Sequence, residues 1–124
     1  MAFCDVGQGD MAVFRSGPHA GVVVDVGPEP GLARRCLDDL DVDRVDAVLL
    51  THLHADHCLD VCGLMVMWCY SPVRRPTAPL DVWGPAGTSA RMARAYGAAE
   101  PEPLEPCLNF RTIRAQEPLS IGPF

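Results

Sequence analysis

Short apolar runs alternate with breaks at glycine and proline, and the spacing inside each run predicts its element. Phe3–Val6 and Met11–Arg15 read as short strands, parted by the glycines of "GQGD", and "SGPHAG" follows as a turn. Val22–Val26 is a β-branched run, as in a buried strand, with Asp25 at its end, and "GPEPG" then breaks the chain. Leu32–Leu40 places Leu32, Cys36, Leu37 and Leu40 on one helical face. Val45–Leu50 predicts another buried strand. Cys58–Tyr70 is apolar nearly all round and predicts one buried helix, with Cys58, Cys62 and Cys69 at helical spacing as core residues. "SPVRRPTAP" reads as a loop and Leu80–Trp83 as a strand. Thr88 or Ser89 caps a helix running to about Tyr96, and Gly97 stops it. Beyond the acidic, proline-rich connection "AAEPEPLEP", Leu108–Arg114 alternates as a strand, and "PLSIGPF" begins one more. A hairpin followed by strands and helices in turn predicts an α/β fold.

Composition narrows the reading. The 124 residues fit one domain at most, and 48% hydrophobic with 21% charged residues is an ordinary globular balance. A net charge of −6 argues against a basic nucleic-acid-binding face. Two bound divalent cations would nevertheless supply positive charge where an anionic substrate needs it. The N-terminus lacks a basic stretch followed by an apolar core, and the run Val61–Tyr70 is too short to span a bilayer. The expectation is therefore a cytoplasmic chain without a membrane segment. Its six cysteines are then expected to be reduced and to act as small core hydrophobes.

Two motifs compete for the chemistry. In "VGQGDMA", Gly7, Gly9 and Ala12 fit a dinucleotide-binding fingerprint, and Asp25 ends a later strand at about the expected distance. That fingerprint requires a helix directly after the glycines to face the pyrophosphate. "MAVFR" is too short and too strand-like for it, and Asp10 would set negative charge near the phosphates. The glycines are better read as a tight hairpin opening toward the second motif, with Asp10 either facing that site or capping the turn.

The second motif is "THLHADHC". It holds three of the chain's four histidines, His52, His54 and His57, together with Asp56. Imidazole and carboxylate donors suit zinc, and also manganese or iron. His52 and His54 lie two apart on the segment leaving a strand, so both can point the same way. Asp56 and His57 follow where a helix begins. Two donors can hold one ion and the next two its neighbour, at the sheet edge where α/β sites usually form. A polar loop with incidental histidines fits this crowding poorly. A structural zinc site using Cys58 and Cys62 with these histidines is a further alternative, but the helical spacing of Cys58, Cys62 and Cys69 favours a core role for them.

"THLHADH", placed after "VDAVLL" and with the earlier "VVVDVG", resembles the H-x-H-x-D-H motif of the metallo-β-lactamase superfamily. The resemblance implies an α/β, metallo-β-lactamase-like αββα sandwich. It makes His52 and His54 ligands of a first metal and Asp56 and His57 ligands of a second, two zinc ions in a complete enzyme. Asp56 becomes the catalytic residue beside the attacking water, and Asp25 orients a ligand or the loop backbone. The implied chemistry is hydrolysis by a metal-bound hydroxide. Residues 2 to about 57 resemble the hydrolase domain of bacterial competence DNA-uptake channels. Residues 52 to 124, through "WGPAGTSARMARAYG", are more similar to ribonuclease Z-like and cyclic-nucleotide phosphodiesterase-like members. Phosphodiesters, nucleic acid among them, are thus the first substrate class. Small esters, thioesters or lactams are an alternative, as is a metal-binding remnant without catalysis.

No histidine follows His57, and the only later aspartates are Asp60 and Asp81. The family pattern adds downstream histidines and an aspartate, so residues 1–124 are expected to be the N-terminal half of the sandwich, weakly active alone. His19 lies in a turn and is expected in solvent. Asp60, one helical turn beyond Asp56, is within reach of the site or stabilises a helix start.

Overall fold

A computed structural model describes residues 1–29, 31–72, 77–121 and 123–124. Among these, six strands form one sheet in sequence order: β1 (Ala2–Asp5), β2 (Asp10–Gly17), β3 (Ala20–Val24), β4 (Arg44–Leu49), β5 (Leu80–Gly84) and β6 (Leu108–Thr112). β1, β2 and β3 pair antiparallel, and β3 to β6 pair parallel. Each parallel step is bridged by helix: α1 (Leu32–Asp39), then α2 (Ala55–Cys58) with α3 (Val61–Tyr70), then α4 (Thr88–Tyr96). This is the mixed α/β architecture expected of a metallo-β-lactamase-like fold.

Register explains the core. Val13, Val23, Val48 and Val82 lie opposite one another across four strands, so their side chains share one face. All four are essentially inaccessible to solvent and join one cluster with Ala33 and Leu37 of α1, Val61, Leu64 and Met65 of α3, and Met92 and Ala93 of α4. The alternate row, Phe14, Val22, Ala47, Asp81 and Asn109, points to the other face.

Several expectations change. The predicted helix over residues 58–70 is broken at Asp60, which sits at the N-cap of α3 with its own N–H donated to Gly27 O at 3.1 Å. Nor is α3 wholly buried: Val66 and Tyr70 are exposed. α4 begins after Gly87 in a left-handed conformation, and Thr88, rather than capping, donates its hydroxyl to Pro85 O at 2.7 Å. Gly97 ends that helix at φ 88° as expected. Among the described residues of 119–124 no strand forms; Leu119, Ile121 and Phe124 instead line a 250 Å³ apolar pocket with Phe14, Val22 and Leu49. The acidic connection is irregular, yet it buries Leu104 completely. Part of the loop "SPVRRPTAP", residues 73–76, lies outside the described residues.

The cysteines are also corrected. Disulfides join Cys4 to Cys36, with Cα atoms 6.0 Å apart, and Cys69 to Cys107, at 5.7 Å. Only Cys58 and Cys62 are free thiols. α1 packs beside β1, and the end of α3 packs beside the segment entering β6. Sequence spacing does not reveal either approach.

Candidate metal centre

The motif sits where parallel strands end. β4 stops at Leu49, and Leu50 N–H donates to Trp83 O of β5 at 2.7 Å, which fixes where the next residues emerge. β3 ends because Asp25 turns into the left-handed region at φ 53°. From that bend Asp25 N–H reaches Leu49 O at 2.8 Å, and Val26 N–H reaches His57 O at 2.9 Å. The chain ends after β3 and β4 are therefore laced together at the site.

Asp25 is the buried centre of this lacing. Its Oδ1 accepts Thr51 N–H at 2.9 Å, and its Oδ2 accepts the Thr51 hydroxyl at 2.6 Å and lies 2.9 Å from His57 Nδ1. A carboxylate accepts, so His57 carries its proton on Nδ1 and turns the lone pair of Nε2 outward, free to ligate a metal. Nε2 lies 3.5 Å from Asp56 Oδ2. Thr51 Oγ1 also lies 3.0 Å from His52 Nδ1. With the hydroxyl proton directed to Asp25, that contact takes its proton from Nδ1, which frees His52 Nε2 as well.

The imidazoles crowd together, with ring centroids 4.8 Å apart for His52 and His54 and 3.9 Å for His52 and His57. Two donor groups result: His52, His54 and Asp56, and Asp25, His52 and His57, each with ligand atoms all within 4.8 Å of one another. His52 belongs to both. Nitrogen and carboxylate donors at this spacing fit a divalent transition metal such as zinc.

The structure thus brings together His52, His54, Asp56, His57 and Asp25. Asp10 is not in either group; it opens β2 opposite Asp5, and both are exposed. His19 sits by Asp41, 3.0 Å from its carboxylate, on an exposed turn. Asp81 accepts from Asn109 at 2.6 Å and Arg111 at 3.2 Å. Asp60 is buried away from solvent, and burial pushes its carboxyl up to about 6. Burial likewise pushes the Cys58 and Cys62 thiols up, partly offset by Arg91, which disfavours the thiolates that a structural zinc site needs. Sequence reasoning missed Thr51, although a hydroxyl directly before the first histidine was the available signal. It also missed Arg91 of α4, whose Nε donates to Leu53 O, between His52 and His54, at 3.4 Å. The strand that follows Gly9 confirms that no helix is present to receive a dinucleotide.

A mixed sheet with clustered imidazoles and carboxylates at its carboxyl edge fits a metal-dependent hydrolase. The chain belongs to the beta-lactamase superfamily: the model of the family's "Beta-lactamase superfamily domain" matches residues 21–124. It is 38% identical over 78 residues to an uncharacterized protein of Mycobacterium tuberculosis (strain ATCC 25618 / H37Rv), covering 60% of this chain and 28% of that protein. An uncharacterized protein of Mycobacterium leprae (strain TN) is similar at 38% over 78 residues, covering 60% and 27%. A ribonuclease Z of Shouchella clausii (strain KSM-K16) is 31% identical over 87 residues, covering 66% of this chain and 27% of the relative. The chain spans about 28% of the length of the first of these curated relatives. No described helix is long and apolar enough to cross a membrane.

Proposed function

We propose that this chain carries the metal-binding part of a hydrolase acting on phosphodiester bonds. The observation that carries the reading is the pair of donor groups sharing His52 at the ends of β3 and β4. Similarity to a protein named ribonuclease Z supports the phosphodiester class. By the family motif His52 and His54 would hold one ion and Asp56 and His57 its neighbour, whereas the observed groups set Asp56 with His52 and His54, and His57 with His52 and Asp25; zinc is the first choice, with manganese or iron as alternatives. Metal bound there supplies Lewis acidity and makes water a nucleophile near neutral pH.

The chain's own residues do the rest. Asp25 and Thr51 fix the tautomers of His57 and His52, so that both Nε2 atoms face the site without reorganisation. Asp56, part-exposed, accepts a hydrogen bond from the attacking water and holds it in line. Residues 1–124 form, in this reading, the N-terminal half of the sandwich. The helices lie against one sheet face; on the opposite face, where a further layer would pack in this reading, Phe14, Val22 and Leu49 lie against Leu119, Ile121 and Phe124.

The test is metal analysis of the purified chain, followed by assays with zinc or manganese on bis(p-nitrophenyl) phosphate and on ester, thioester and lactam substrates. Slow phosphodiester hydrolysis is expected, abolished in His54→Ala and Asp56→Asn. Turnover confined to the carbonyl substrates, or metal binding indifferent to both substitutions, would overturn the reading.

A further inference from the structure

The glycines of "GQGD" have no place in the chemistry above, yet one of them touches it. Gly9 adopts φ +83°, and a Cβ added there would lie 3.0 Å from Asp56 O. The same Cβ would lie 3.6 Å from both Cε1 and Nε2 of His57. Nε2 is the nitrogen that Asp25 leaves free. Backbone oxygen cannot swing aside as a side chain can, so the hairpin tip and the metal loop are fitted backbone to backbone.

Two other glycines separate this contact from backbone strain. Gly7, two residues earlier at φ +92°, would first meet side chains, those of Leu32 and Glu29 at 3.3 and 3.4 Å. Gly31, at φ +93°, would meet nothing within 4 Å. All three favour glycine for the same conformational reason, but only Gly9 does so against two of the motif's residues.

We infer that the tip of the β1–β2 connection is a wall of the metal centre, and that Gly9 is a positioning residue that keeps the space beside His57 Nε2 clear. The inference rests on reading residues 52–57 as ligands. An ion or substrate held at Nε2 lies against bare backbone at Gly9, and any side chain there takes its space and presses on the Asp56 peptide.

The experiment compares Gly9→Ala, Gly7→Ala and Gly31→Ala. In the metal-free proteins, long-range nitrogen–proton NMR of the histidine rings should show His57 shifted in Gly9→Ala and unmoved in the other two. In zinc competition titrations, Gly9→Ala should bind at least about tenfold more weakly than either control. Unmoved His57 resonances, or equal loss of affinity in all three variants, would overturn the inference. A wild-type chain that binds no zinc sinks the ligand reading instead, and the metal-free spectra still decide whether Gly9 abuts His57. If Gly9→Ala does not fold, wild-type protein titrated with manganese decides. The Gly9 amide should broaden well before that of Gly97, and equal broadening would count against the wall.

Discussion

Asp25 shows how much one carboxylate can organise. It takes three hydrogen bonds from Thr51 and His57, and so couples the end of β3 to the first and last histidines of the motif. Asp25→Asn tolerates the same left-handed backbone but presents an amide where an acceptor is needed. Zinc affinity should fall about 10- to 100-fold, with the far-ultraviolet circular dichroism unchanged. Unaltered affinity in a competition assay would show that the rings hold their tautomers unaided.

Asp60 gives the second residue-scale prediction. It is buried, its Oδ1 has no partner among the described residues, and its carboxyl is pushed from 3.8 to about 6 by burial. The native chain therefore holds a proton that the unfolded chain has released between those values, so stability falls as pH rises through that window. Asp60→Asn removes the ionisation and should be about 1–3 kcal/mol more stable than wild type at pH 7, with the difference fading toward pH 4. Denaturant melts across pH would expose a wrong sign directly. The motif's donors were legible because they are adjacent in sequence. The bonds of Thr51 to Asp25 and of Arg91 to Leu53 O were not, because those partners lie on other elements; the hairpin of Gly9 was expected to open toward the motif, but not which atoms it meets.

At the scale of elements, periodicity located nearly every strand and helix, and it failed where a tertiary contact cut across it. Apolar continuity predicted one helix over residues 58–70, but a new helix starts at Asp60, whose backbone N–H is tied to Gly27 O of the loop after β3. The helix stop at Gly97 was legible because φ 88° is a conformation that glycine adopts without Cβ strain. Gly97→Ala should cost about 1 kcal/mol in a thermal melt, without effect on metal binding. The disulfides were not legible. Cys69 and Cys107 close a separation of 38 residues, so Cys107→Ser should lose about 2–4 kcal/mol of stability. Reduced wild type should lose at least as much in the same melts, since reduction also opens Cys4–Cys36, and no difference between wild type and Cys107→Ser under oxidising conditions would refute the bridge.

The whole molecule is one sheet with unequal faces. One carries the valine row under the helices. The other carries Phe14, Val22 and Leu49, against which Leu119, Ile121 and Phe124 lie, with Phe14 and Phe124 rings edge to face at 6.3 Å. Ending the chain at Glu117 should uncover this face, raise binding of an apolar dye and drive concentration-dependent association in light scattering. A monomer with unchanged dye binding would mean that the last residues cover nothing of consequence.

Sequence by itself determined the elements, their order and the clustering of His52, His54, Asp56 and His57, since each is written in spacings of a few residues. Tertiary structure alone decided which cysteines meet and where Asp60 is buried. It also decided that Asp25 and Thr51 free two Nε2 atoms, and that Gly9 stands over one of them. Those facts depend on strand register and on helices packed across the sheet, and residues brought together from distant parts of the chain leave no local period to read.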